Sequence, residues 1–151
     1  MFKELNNFLS NQEKKILFVG IGNLLKTDDG VGVYISRKIK NKGNRSSLTV
    51  ETGIENYIGK INSLTPEILV LIDCVELKSA PGTFKLLELS QIQDLTFNTH
   101  NISLRRLSEF FEMPVFILAI QPENVDFGEN ISYLVKKIAD KIINQINTQE
   151  V

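Results

Sequence analysis

The sequence is poor in several residues on which particular classes of protein depend. Its 151 residues include one cysteine, one histidine and no tryptophan. A single cysteine excludes an internal disulfide framework and agrees with a reducing cytoplasm, where we expect the protein to act. The lone histidine, His100, means that any site in this chain contains at most one imidazole.

The chain also lacks an excess of charge of either sign and a long apolar run. Seventeen basic against eighteen acidic side chains give a formal net charge of −1. Because no stretch is rich in Lys and Arg, nucleic acids and anionic membranes are poor partners. The amino-terminal residues lack the apolar core of a signal peptide, and no stretch reaches transmembrane length. We therefore expect no nucleic-acid partner and no membrane insertion.

What the chain does contain is an alternation of apolar runs and amphipathic segments, without an internal repeat. Its length predicts one domain over residues 1–151. Strands that alternate with helices predict an α/β fold, a three-layer αβα sandwich with a mostly parallel, twisted sheet and helices on both faces. The predicted segments are buried strands at 16–19, 67–73 and 114–120, a strand at 48–51, an antiparallel edge strand at 83–89, helices at 55–63, 102–111 and 131–146, a helical extension at 1–15 and a flexible tail at 148–151.

The first apolar run ends at glycines and is followed by two adjacent carboxylates. Gly20 and Gly22 allow backbone conformations that end the strand. Asp28 and Asp29 then stand at the start of a predicted helix, where Thr27 or Asp28 is suited to the N-cap position. Open α/β sheets bind ligands at the carboxyl ends of their strands, so these carboxylates mark a candidate site.

Two further side chains follow other elements of the predicted sheet. Asp73 ends the second buried strand, and His100 precedes the helix predicted at 102–111, with Thr99 as its possible cap. Successive parallel strands with right-handed crossovers end at the same edge, so these residues can meet Asp29 in one cleft. Two carboxylates and one imidazole are suitable ligands for a divalent transition metal and leave coordination positions open.

Each of these side chains also has an ordinary structural explanation. Asp28 is a typical helix cap, and Asp29 in a first helical turn is stabilised by the helix dipole. Asp73 can cap a loop, and a lone His100 near a helix start can be structural. Cys74 is better explained as a small buried thiol than as a nucleophile, because no second histidine is present to activate it. The residues alone leave the choice between structure and metal binding open.

Four blocks occur in order along the chain: GIGNLLKTDDGVG, LIDCVELKSAPGTF, THNISL and AIQPENVDFGENIS. Taken together they resemble the hydrogenase maturation proteases, which trim the carboxyl terminus of the large subunit of nickel–iron hydrogenases, and the resemblance covers residues 16–138. Asp29 stands where many members of that family have Glu. This feature, with segments near Gln121 and Phe127, is similar to the subgroup serving energy-converting hydrogenases of the formate-hydrogenlyase type.

The resemblance implies a function and assigns roles to the candidate residues. It implies that Asp29, Asp73 and His100 bind nickel that the precursor of the large subunit already carries, with Asp28 in a supporting role. It implies no organic cofactor; the lone G-x-G of the first block has Leu25 where a dinucleotide fingerprint needs its third glycine. Two alternatives stay open: an independent metallohydrolase with its own divalent metal, and a non-catalytic nickel-sensing chaperone of the precursor.

Overall fold

The fold is built around a sheet in which β1 occupies a central position. A computed structural model describes residues 1–10, 13–91, 96–97 and 104–148. The strand order is β2-β1-β3-β6-β4, and the short strand β5 pairs with the end of β3. The strands are β1 (Ile16–Ile21), β2 (Arg45–Glu51), β3 (Ile68–Glu76), β4 (Phe84–Glu88), β5 (Thr96–Phe97) and β6 (Val115–Ile120).

The sheet is mostly parallel, as the sequence predicts. Strands β2, β1, β3 and β6 run parallel to one another. Strand β4 pairs with β6 in the antiparallel direction and lies at the edge, which confirms the prediction for residues 83–89. The three apolar runs form β1, β3 and β6 because strands covered on both faces need apolar side chains at consecutive positions.

Helices cover both faces of this sheet, which confirms the three-layer architecture. Alternate residues of β1 point to opposite faces, so Phe18 belongs to one core and Val19 to the other. The first core includes buried residues of α1, α2 and α5, and the second includes residues of α3 and α4. The helices are α1 (Phe2–Ser10), α2 (Val31–Ser36), α3 (Ile58–Leu64), α4 (Leu104–Leu107) and α5 (Tyr133–Thr148).

Strand and helix boundaries both differ from the predictions. Strand β2 begins three residues before the predicted start, at Arg45, and β3 continues past Asp73 to Glu76, so Asp73 does not end its strand. The segment predicted at 55–63 begins as a 3₁₀ turn, Ile54–Tyr57, before α3. The helix predicted at 102–111 contains α4 followed by a 3₁₀ turn, Ser108–Phe110, and its first two residues lie outside the described residues. Apolar spacing marks which face is buried, but it does not mark where helical hydrogen bonding begins or ends.

The two chain ends pack more closely than an extension and a tail would. In α1, Leu5 and Leu9 are 1% and 0% exposed, and the Phe2 ring contacts Phe84 edge-on at 4.9 Å between centroids. Helix α5 continues to Thr148, whose hydroxyl donates to the Asn144 carbonyl at 2.7 Å, so Thr148 is helical and not part of the predicted tail. Residues 149–151 lie outside the described residues. None of the described helices combines the length and the apolar character that a membrane crossing requires.

Candidate active site

The candidate carboxylates lie where the strand order reverses direction. From β1 the chain goes to β2 on one side and afterwards to β3 on the other side of β1. Loops that leave the carboxyl ends of β1 and β3 therefore diverge and leave a crevice, which is the usual ligand site of open α/β sheets. Asp29 follows β1 in a 3₁₀ turn, Thr27–Gly30, and Asp73 lies near the end of β3. The structure thus places both acids at the predicted edge.

Close backbone packing brings the Asp29 turn against the end of β3. A Cβ atom at Gly32 would lie 2.1 Å from the carbonyl oxygen of Ile72 and 2.4 Å from that of Ile21. Gly32 lies three residues after Asp29, and Ile72 directly precedes Asp73. Only glycine permits this approach, because any side chain would overlap both backbone oxygens. Gly32 is therefore the contact that joins the two halves of the candidate site.

A second glycine shapes the loop on the other side of Asp29. Gly22 has a φ of 145°, and a Cβ there would lie 2.0 Å from the Asp29 carbonyl oxygen. The next residue, Asn23, donates its backbone N–H to Oδ2 of Asp29 at 3.1 Å. The expectation that Gly20 ends the strand is wrong, since Gly20 lies within β1; Gly22 directly follows β1 and brings the loop against the Asp29 backbone.

Both acids are fully buried in this crevice. Asp29 and Asp73 are each 0% exposed. Oδ1 of Asp73 accepts the backbone N–H of Cys74 at 2.8 Å. Burying a carboxylate costs free energy because it loses hydration. A divalent cation bound there would offset that cost, and carboxylate oxygens are suitable ligands for one.

Asp28 has a role that the local sequence did not indicate. The predicted N-cap is wrong: neither the 3₁₀ turn nor α2 has a side-chain cap hydrogen bond. Instead Oδ2 of Asp28 accepts the N–H groups of Glu123 (2.8 Å) and Asn124 (3.0 Å) and the hydroxyl of Ser132 (2.8 Å). Oδ1 accepts the N–H of Ser132 at 2.7 Å. Because Ser132 directly precedes α5, the carboxylate lies at the amino end of that helix, where the helix dipole favours an anion.

Further hydrogen bonds fasten the loop after β6 to the loop after β1. Thr27 donates its hydroxyl to the Asn124 carbonyl at 2.6 Å and its N–H to the Gly128 carbonyl at 2.7 Å. Gly128 in turn donates to the Leu25 carbonyl at 2.9 Å. Sequence reasoning identified this second loop only through the AIQPENVDFGENIS block and gave its residues no role. The structure shows that it supports the turn that carries Asp29.

Gln121 is a buried polar residue at the same edge that the sequence analysis did not select. Its carboxamide oxygen accepts the Leu77 N–H at 2.6 Å, and its nitrogen donates to Oε2 of Glu76 at 3.0 Å. The hydrogen bond from Gln121, and a weaker one from the Lys78 backbone, lower the pKa of the Glu76 carboxyl. The loop after β3 is thereby tied to the end of β6.

A cavity of about 340 Å³ lies beside the Asp29 loop. Its lining combines the backbone turn at Gly22 and Asn23 with apolar and polar side chains from two loops. Glu51, at the end of β2, has a φ of 56° and accepts the Gly22 N–H at 2.9 Å through its carbonyl oxygen. The other lining residues are Leu24, Leu25 and Thr52. Neither Asp29 nor Asp73 is among these lining residues, so the cavity lies next to the candidate site, on the β2 side of the loop.

The third predicted ligand cannot be placed beside these two acids. His100 and its neighbour Thr99 lie outside the described residues. Within the residues that are described, no group of three His, Cys, Asp or Glu side chains is positioned to hold a metal. Asp29 and Asp73 are the predicted ligands that the structure brings to one edge, and ligation by His100 stays a prediction.

Known proteins resemble this chain in sequence and in structure. The family model for hydrogenase maturation proteases of the HycI type matches residues 31–149. A Methanocaldococcus jannaschii relative assigned to the hydrogenase maturation proteases is 30% identical over 88% of this chain and 86% of its own. The hydrogenase 3 maturation protease of Escherichia coli K12 is 26% identical over 86% of this chain and 87% of its own.

Solved structures support the same fold. The crystal structure of a nickel–iron hydrogenase maturation protease from Thermococcus kodakarensis superposes with a TM-score of 0.82 at 23% identity, covering 95% of this chain and 96% of the other. The solution structure of an endopeptidase from Escherichia coli gives a TM-score of 0.75 at 26% identity, covering 88% and 89%. At 23% identity the first comparison is a likeness of fold, and at 26% identity the second is a likeness of fold and sequence.

Proposed function

Since the chain belongs to the hydrogenase maturation protease family, we propose that it removes a carboxyl-terminal peptide from the nickel-loaded precursor of a nickel–iron hydrogenase large subunit. In this proposal bound nickel is the signal that permits cleavage. One observation carries it: Asp29 and Asp73 are both buried at the carboxyl edge of the sheet, on either side of the point where the strand order reverses.

The proposed ligands of the substrate's nickel are Asp29, Asp73 and His100. Two carboxylates and one imidazole do not complete a closed four-ligand site, so they bind a free ion less tightly than such a site would. Weak binding suits a protease that must release the metal together with the precursor that carries it after cleavage. The nickel then belongs to the substrate, and this chain contributes only part of its coordination.

The remaining residues of the crevice support this pair. Asn23 orients the Asp29 carboxylate through its backbone N–H, and Asp28 holds the same turn against the loop after β6. We propose that nickel held there polarises the scissile carbonyl, while a neighbouring carboxylate accepts a proton from the attacking water. Asp28 itself acts through the position of the turn, because its oxygens already accept four hydrogen bonds.

Intact-mass spectrometry of a large-subunit precursor tests the proposal directly. Nickel-loaded and nickel-free precursor are each mixed with this protein, and the masses are followed over time. We expect the loaded form alone to lose one defined carboxyl-terminal peptide. Cleavage regardless of nickel would replace the proposal with a metallohydrolase that carries its own metal. A stable complex without cleavage would replace it with a nickel-sensing chaperone.

Substitution of each acid tests its assignment. Asp29→Asn and Asp73→Asn keep the side-chain volume but remove the charge, so we expect each variant to fold and to lose processing. Asp140→Asn is the matched control, because Asp140 is exposed on α5 and bonded to Tyr34. Full processing by either test variant would remove that residue from the proposed nickel site.

His100→Ala tests the third ligand, and the pH profile provides an independent readout. A protonated imidazole cannot bind a metal, so we expect wild-type processing to fall as the pH drops below about 6.5. A rate that stays constant down to about pH 5 would contradict ligation by histidine.

A further inference from the structure

Two large apolar side chains are exposed on the loops that surround the candidate site. Phe127 is 83% exposed and Leu25 is 58% exposed. Phe127 lies in the loop after β6, and Leu25 lies in the loop after β1, four residues before Asp29. We call Leu25, Lys26 and Phe127 the apolar loop surface.

Hydrogen bonds hold this surface in a defined arrangement. The backbone of Gly128 donates to the Leu25 carbonyl at 2.9 Å, and a bridge pairs Lys26 with Gly128. The ammonium group of Lys26 lies 5.8 Å from the centroid of the Phe127 ring, within the range of a cation–π contact. The same loops are joined by the buried Asp28 carboxylate. Phe127 is therefore presented to solvent by an anchored loop.

We propose that the apolar loop surface docks into an apolar depression on the folded body of the protease's protein substrate. This inference rests on the proposed function, in which the substrate is a hydrogenase large-subunit precursor. The surface lies on the loop that leads into the Asp29 turn and on the loop hydrogen-bonded to it, so a protein docked there lies beside the candidate site. An aromatic ring on a projecting loop is fully desolvated only by a concave partner, which an extended peptide does not provide.

The charges around Phe127 predict which charged side chains surround the apolar depression on the partner. Glu123, Asp126 and Glu129 are exposed on the same loop, and among the described residues these three carboxylates outnumber the one ammonium group that faces the ring, that of Lys26. Because opposite charges at an interface rim favour association and like charges oppose it, we expect Lys or Arg side chains around the depression. The partner is thus an apolar pocket with a basic rim, on the retained body of the precursor rather than on the peptide that is removed.

Steady-state processing of the nickel-loaded precursor by Phe127→Ala tests this proposal. Loss of an interface aromatic typically weakens binding about tenfold or more, so we expect KM to rise about tenfold while kcat is unchanged. Phe110→Ala is the matched control: Phe110 is 59% exposed but precedes β6, at the opposite end of the sheet. We expect the control to keep the wild-type KM. Phe127→Leu, which keeps apolar bulk, should return KM to within about threefold of wild type.

The outcomes separate this inference from the proposed function. An unchanged KM in Phe127→Ala, or an equal rise in Phe110→Ala, would overturn the docking surface while wild-type cleavage still supported the protease. A fall in kcat alone would also overturn it, since the ring would then act after binding. Absence of nickel-dependent cleavage by the wild-type protein would instead contradict the proposed function itself.

Discussion

Replacing Asp28 by asparagine tests whether a buried carboxylate holds the two site loops together. The substitution keeps the shape of the side chain and replaces one acceptor oxygen with an NH₂ donor. Asp28 is 0% exposed and accepts four hydrogen bonds, three of them from backbone N–H groups. No rotation of an asparagine side chain can satisfy all four donors.

The expected loss of unfolding free energy is that of the less costly of the two asparagine side-chain rotamers. With the carbonyl oxygen toward Glu123 and Asn124, the new NH₂ group faces the N–H of Ser132, and that donor is left without an acceptor at a cost of about 1–3 kcal/mol. The three remaining hydrogen bonds lose a charged acceptor, and each weakens by about 1 kcal/mol. Burying a neutral amide rather than a carboxylate offsets part of the sum. We expect a net loss of about 3 kcal/mol in the free energy of unfolding.

Urea denaturation measures this loss, with Ser132→Ala as the graded control. The alanine variant removes only the hydroxyl donor at 2.8 Å, so we expect a loss of about 1 kcal/mol. Amide hydrogen exchange should also accelerate at Glu123 and Asn124 in Asp28→Asn, but not at Val19 in β1. An Asp28→Asn variant that is as stable as Ser132→Ala, with unchanged exchange at those amides, would refute the proposed link between the loops.

Three further predictions concern the surroundings of the site. Gly32→Ala should lower the free energy of unfolding by about 1–3 kcal/mol or more, and with it the urea midpoint, since its Cβ overlaps backbone oxygens of β1 and β3. Gly59→Ala, in open space, should leave the midpoint unchanged; equal midpoints for the two variants would contradict this packing. Gln121→Ala should raise the pKa of Glu76 toward its ordinary value, as followed by carboxyl NMR. The pKa of Glu76 is lower in the folded than in the unfolded protein. The contribution of this carboxylate to stability is therefore present above the unfolded-state pKa and is lost as the pH falls through the folded-state pKa. An unchanged Glu76 titration in Gln121→Ala would rule out Gln121 as the cause of the lowered pKa. Cys74→Ala should process precursor at the wild-type rate, because the thiol is buried in the core, and inactivity without unfolding would restore it as a nucleophile.

The buried strands were predictable because a strand covered on both faces has apolar residues at consecutive positions. Strand β3 is covered on both faces, so its residues from Ile68 to Val75 had to avoid exposure together. Antiparallel pairing of β4 was predictable for a similar reason, since its alternating pattern belongs to an edge. The helices were less predictable: α2 has only six residues, although apolar spacing extends to Ile39 beyond its end.

The candidate site was predictable in outline and not in its connections. The positions of Asp29 and Asp73 at one edge follow from a carboxylate after β1, another late in β3, and the parallel order of the sheet. The role of Asp28 did not follow, because an Asp before a helical pattern looks locally like a cap. Its donors belong to a loop that the local pattern does not connect with it.

The sequence by itself determined the buried strands, the fold class and which acids accompany those strands, because these depend on neighbouring residues and on the burial of both sheet faces. Only the tertiary structure decided what Asp28 binds and how Gly32 brings the two acids to one crevice. The hydrogen-bond donors to Asp28 lie 95 to 104 positions away along the chain. Such contacts arise from the order in which strands pair, and no local pattern of residues records them.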